Sequence, residues 1–163
     1  MQFKIFSFAL IFFFFKSSFI PNSDLNIARN YYEKGSKEKS AAENLKTFTE
    51  TKSTQAIFKA YNGVAYALLA KHNWNPYKKL ELVTKGIEKI NSAVELSQSD
   101  VEIRFLRYSI EENLPAVVPF TSHLAADKKF ILANLKSTHS YYLTIKAYLK
   151  TSKTITEAEK KKL

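Results

Sequence analysis

DVEIRFLRYSIEENLP (Asp100–Pro115) is the stretch that decides the fold. Ile103, Leu106, Ile110 and Leu114 recur at spacings of three, four and four, one apolar stripe of an α-helix. Asp100 can cap its amino end and Pro115 ends it. Beside that stripe runs a polar one, Arg104, Arg107 and Glu111, flanked by the aromatic edge of Phe105 and Tyr108. Two of the chain's three arginines thus fall within four residues, whereas its other basic residues are 22 lysines. A planar guanidinium differs from an ammonium: it bonds carboxylate or phosphate bidentately, tolerates partial burial and stacks on rings. Two readings follow. The arginines bracket this helix to its neighbours by bonding Glu111, another acid or a carbonyl, with Arg107 and Glu111 one turn apart on the helix. Alternatively they line a groove and clamp an anionic group such as a peptide carboxylate.

Working outward, helical periods account for most of the chain. Ser23 or Asp24 can cap a first helix over about Leu25 to Lys34, with Gly35 as a stop. Ala41, Leu45 and Phe48 mark a second helix, and Ile57, Phe58, Tyr61, Val64, Ala65, Leu68 and Leu69 a third, from about Thr54 to Lys71. Asn75 and Pro76 suit the cap and first turn of a fourth, running to Leu96 on Leu80, Val83, Ile87, Ile90 and Val94. After an extended connection, PAVVPF, a sixth helix is expected from Thr121 or Ser122 to about Leu135. A seventh should span about Ser140 to Leu149. Residues 151–163 form a polar tail that frays or makes a last short helix from Thr156. No segment alternates with period two long enough for a strand. The expected fold class is therefore all-α, with six to seven helices paired as antiparallel hairpins over residues 21–150.

Gly63 and Gly86 lie inside helices three and four, where each costs about 1 kcal/mol relative to alanine. A close backbone-to-backbone crossing of the two helices would explain both.

Residues 1–20 stand apart. Lys4 precedes a mainly apolar run, Ile5–Phe15, the length of the apolar core of a signal peptide. As a helix it would extend about 16 Å, short of a bilayer core of about 30 Å. Residues 1–20 therefore read as a signal peptide or, if uncleaved, a membrane anchor. Without Lys4 and Lys16 the formal charge of +10 falls to +8. Such a surface attracts anionic partners, with acidic proteins or peptides and an anionic envelope surface ahead of nucleic acid. The lysines are spread among acids, as on a solvated basic surface.

IARNYYEKGSKEKSAAENL resembles one tetratricopeptide repeat unit: Ala28, Tyr31 three residues on, Gly35 at the turn and Ser40 after it. GVAY (Gly63–Tyr66) matches the G-x-x-Y of that motif, and Gly86, Ile90 and Ala93 fit its second helix. Lys59 stands at the signature tryptophan position, and the second unit carries an insertion around KHNWNPYKK. The resemblance implies stacked helical hairpins with a groove lined by helices one, three and five. AYNGVAYALLAKHNWNPYKKL, DVEIRFLRYSIEENLP and DKKFI also resemble a family of small exported bacterial proteins. That likeness implies export and a helical fold and carries no mechanism.

Little in the sequence suggests catalysis. The chain has no cysteine, so no disulfide or thiolate metal site. His72, His123 and His139 lack the i, i+4 partner of a helical zinc site. Ser122 and His123 are adjacent, which on a helix points them apart, and Glu111–Glu112 read as solvated carboxylates. No cofactor or metal is called for. The expected function is a non-catalytic binding or assembly module of the cell envelope. A membrane-anchored structural protein and an enzyme are the competing classes. Its candidate binding or bracket residues are Tyr61, Arg104, Arg107, Tyr108 and Glu111. Trp74, the only tryptophan, is a plug over a hairpin end or a loop anchor for a partner.

Overall fold

The computed structural model describes residues 22–115 and 122–163, and among these the chain is all-helical with no strand. The helices are α1 (Asn22–Gly35), α2 (Lys39–Glu50), α3 (Ala56–Lys71), α4 (Pro76–Leu96), α5 (Val101–Glu111), α6 (Leu124–Asn134), α7 (Tyr142–Thr151) and α8 (Glu157–Lys160). The amino-terminal segment, residues 1–21, and residues 116–121, which hold all of the PAVVPF connection after Pro115 and also Thr121, lie outside the described residues. No described helix is long and apolar enough to cross a membrane.

Local signals set several boundaries. The Asn75 side chain accepts from the amides of Tyr77 and Lys78, with Pro76 in the first turn, so α4 starts where expected. Asp100 accepts from the amides of Glu102 and Ile103 and starts α5. Helix α6 starts later than Ser122. No side chain of its own caps it; the Glu111 carboxylate of α5 accepts from the His123 amide at 3.0 Å instead. Gly35 ends α1 without a left-handed residue, and His72 Nε2 lies 2.7 Å from its carbonyl oxygen. The carboxyl end of α1 is thereby satisfied from a neighbouring helix rather than by a glycine turn.

Helix α3 is the hub, packing against α1, α2, α4 and α5. The α3–α4 crossing is closest at the two glycines. A Cβ built on Gly63 would stand 2.6 Å from the Gly86 carbonyl oxygen, and one on Gly86 would stand 2.7 Å from the Gly63 carbonyl oxygen. The backbones touch, as the paired mid-helix glycines suggest.

Helix α5 differs from its sequence reading. It is not a surface helix with a polar stripe beside its core stripe: every residue from Val101 to Glu111 except Arg104 is buried. Phe105 is fully buried and meets Tyr32, Tyr141 and Tyr148 edge to face, with centroids 5.3–6.4 Å apart. Ile145 and Leu149, one turn apart on α7, are also fully buried.

The tail is docked rather than frayed. Ser152 and Ile155 are buried, and Thr156 caps α8 through a reciprocal capping box with Glu159. Lys128 of α6 holds this segment by donating to the Thr154 carbonyl at 3.1 Å. A periodicity reading misses such a docking, because the tail is almost wholly polar and is held mainly by hydrogen bonds from Ser152 and Thr154, with Ile155 buried.

Candidate functional site

The question raised by the arginines has a geometric answer. Arg107 grips Asp127 of α6 with a bidentate fork, Nε to Oδ2 at 2.6 Å and Nη2 to Oδ1 at 2.8 Å. Its Nη1 donates to Asn91 of α4 at 3.0 Å. Arg104 donates to the same Asp127 at 2.9 Å and to the Gln98 carbonyl at 3.0 Å, and lies over the Phe130 ring. Asp127 is fully buried. Two guanidiniums share one carboxylate, which ties α4, α5 and α6 together.

The third arginine forms a second bracket that the sequence reading missed. Arg29 of α1 bonds Glu102 of α5 bidentately, at 2.8 and 2.5 Å. The Tyr61 hydroxyl of α3 donates to Glu102 at 2.6 Å, and Arg29 also reaches Ser140 and lies over the Tyr141 ring. Burial alone would lower the Arg29 pKa, but the Glu102 carboxylate more than offsets this and the net shift is upward. Burial, with Glu102 beside it, pushes the Tyr61 hydroxyl well above its ordinary value. Glu102 lies on the opposite side of α5 from the stripe of Arg104, Arg107 and Glu111, and its partner is 73 residues distant, so the pair leaves no local sign in the sequence.

These contacts decide where the sequence-predicted residues lie. Tyr61, Arg107, Tyr108 and Glu111 are all buried, and Arg104 is partly covered with its fork engaged. They do not line an open groove. The surface that α1, α3 and α5 share is interior, because their inward faces are closed by the Arg29–Glu102–Tyr61 cluster. Glu111 does not pair with Arg107 along the helix; Asp127 outcompetes it with better fork geometry. Glu111 instead meets His123, whose Nδ1 lies 2.9 Å from its Oε1. Ser122 Oγ approaches the same ring nitrogen at 3.3 Å. A serine–histidine–acid relay needs hydroxyl and acid on opposite ring nitrogens, so this grouping is not one.

Glu112 is likewise no free carboxylate. It accepts from the hydroxyls of Ser152 and Tyr148 and from the amide and hydroxyl of Thr154. Tyr108 reaches Ser152 and Thr154 in the same cluster, at 2.5 Å each. Partial burial would raise the Glu112 pKa, yet these donors overcome it and hold it below its ordinary 4.5. A carboxylate with a depressed folded pKa contributes stability that is present above 4.5 and lost as pH falls through the lowered value. Glu112→Gln is expected to lower stability at pH 7 by about 1–2 kcal/mol and to flatten the acid limb of a melting-temperature profile below pH 4.5. An unchanged acid limb would show that these donors do not favour the ionised form.

With the arginines turned inward, the outward chemistry belongs to lysine. Lys59 and Tyr66, two turns apart on α3, lie half-buried on the side of the helix between α2 and α4, while Asn62 of the same stripe is buried and bonds Lys46 and Thr49 of α2. Lys46 of α2 and Lys85 and Lys89 of α4 place their ammonium groups 5.5, 6.0 and 5.6 Å from the Tyr66 ring centroid. Lys59 adds a fourth cation, donating to Ser92 of α4 at 3.3 Å. Neutralisation is weak: Lys46 has Glu50 at 3.7 Å, Lys85 has Glu81 at 3.8 Å, and Lys89 has no acid within 4.0 Å among the described residues. Each contact with the ring returns about 0.5–1 kcal/mol at an exposed site, and the three like charges together attract an incoming anion. The sequence signal was present, as Lys85 and Lys89 lie one turn apart on α4. Lys46 and Tyr66 join them only through packing.

Trp74 is not a plug. It is 89 % exposed, next to Tyr77 at 85 %, because the first turn of α4 projects beyond the core and leaves even Leu80 half-exposed. Among the described residues no three histidine, aspartate or glutamate side chains converge as metal ligands would. No protein-family profile matches the chain, and no curated protein or solved structure matches it significantly.

Proposed function

We propose that the protein is a non-catalytic binding module of the cell envelope whose partner presents acidic groups. The observation that carries this reading is the convergence of Lys46, Lys85 and Lys89 on Tyr66, with one acid 3.7 Å from Lys46, one 3.8 Å from Lys85 and none within 4.0 Å of Lys89 among the described residues. The formal charge of +10 adds long-range attraction for an anionic partner. The placement in the envelope rests on the leader-like residues 1–20. The buried carboxylates Glu102, Asp127 and Glu111 are engaged in internal bonds, which favours a scaffold role for them over an acid–base role.

A photo-crosslinking residue at position 88, beside the lysine face on the exposed side of α4, tests this in native envelopes. The expected adduct is one protein, cross-linked through an acidic segment, and lost when Lys85 and Lys89 are both changed to glutamate. The double variant should melt within about 2 °C of the parent, since exposed substitutions change stability by about 0.5 kcal/mol or less. An adduct that survives the charge reversal would remove this face from the binding reading.

A further inference from the structure

The lysine face does not end at Tyr66. Towards the carboxyl end of α3 it runs into a shallow cavity of about 330 Å³, lined by Lys39, Leu69, His72, Asn73, Trp74 and Leu82. Leu69 lies three residues beyond Tyr66, about 4.5 Å along a helix rising 1.5 Å per residue, and His72, Asn73 and Trp74 follow directly after the end of α3. The cavity lining therefore begins about one helical turn beyond Tyr66 along α3. In an extended chain, side chains two residues apart point the same way and stand about 6.6 Å apart. The Tyr66 hydroxyl makes no hydrogen bond among the described residues, and it is a donor suited to a carboxylate.

Resting on the binding reading above, we infer that this face holds an extended acidic segment of a partner protein. One carboxylate of that segment sits at Tyr66 among Lys46, Lys85 and Lys89. An apolar side chain two residues away sits in the cavity beside Trp74, against Leu69 and Leu82. The focus suits a single carboxylate, since three ammonium groups point at one ring rather than forming a plane. The chain's own residues 1–20 have the wrong sign to occupy it, with Lys4 and Lys16 and no acid.

Trp74 is the only tryptophan, so its fluorescence reports on the cavity directly. The full chain is titrated with a glutamate-containing octapeptide carrying one leucine two residues from a glutamate. The leucine-to-serine analogue and phosphatidylglycerol vesicles are titrated in parallel. The leucine peptide is expected to shift Trp74 emission to the blue, shield it from iodide, and bind about tenfold more tightly than the serine analogue. Lys89→Glu should weaken both peptides about tenfold, and Leu82→Ser should weaken only the leucine peptide, with melting temperatures unchanged. Equal binding of the two peptides, both sensitive to Lys89→Glu, would overturn the apolar subsite and leave the acidic-partner reading standing. Binding of neither peptide would overturn both readings, and vesicle binding with a Trp74 shift in that case would assign the face to lipid.

Discussion

Asp127→Ala is expected to destabilise the fold by about 3–5 kcal/mol, because it strands two guanidiniums in the interior without a counter-charge. Asp127 is fully buried; Arg107 engages it with a bidentate fork and Arg104 with one N–H. A loss of that size is a large fraction of the about 5–15 kcal/mol that holds an ordinary domain together. Denaturant unfolding followed by far-ultraviolet circular dichroism measures it. The companion experiment is Arg107→Met combined with Asp127→Leu, leaving Arg104 to turn outward from its partly exposed position. This pair should recover most of the loss, since replacing a buried ion pair with apolar groups is often neutral. If Asp127→Ala costs less than about 1 kcal/mol, the bracket is not holding α5 to α6. Arg104→Gln should cost less than Arg107→Gln, because its side chain is 18 % exposed rather than 5 %.

The second large effect is expected at the glycine crossing, where its sign is diagnostic. On an exposed helix face, glycine to alanine stabilises by about 1 kcal/mol. Gly63→Ala should instead destabilise by about 3 kcal/mol, since the new methyl group would meet the Gly86 carbonyl oxygen and Ile90 Cγ1 at 2.6 Å. Backbone cannot move aside as a flexible side chain can, so the α3–α4 pair must separate. Gly86→Ala should behave alike through the Gly63 carbonyl oxygen at 2.7 Å. The double variant should cost less than the sum, because one separation of the helices relieves both clashes. A rise in melting temperature for Gly63→Ala would refute the close crossing.

Much of the helical frame was legible in the sequence. The apolar periods of α3, α4 and α5 and the caps at Asn75 and Asp100 act within one or two turns. They need no knowledge of what lies across the core. The paired glycines were legible too, because a costly residue inside a helix needs a packing reason. The start of α6 was not, since Glu111 caps it from another helix. The exposure of Leu80 was not, because a stripe shows which side is apolar and not where the core stops along the axis.

The same division applies to the arginines. Sequence alone determined that Arg104 and Arg107 share one helix face and that guanidinium suits a bracket or a clamp. Tertiary structure decided for the bracket, and it supplied partners 20 or more residues away: Asp127 for this pair and Glu102 for Arg29. It also moved the candidate binding surface from the arginines to Lys46, Lys85 and Lys89 around Tyr66. The physical reason is range. Helical periodicity and capping are local, and a sequence states them directly. A buried charge must be paired within about 3 Å by whichever residue the packing of separate helices delivers, and the sequence does not say which helices will meet.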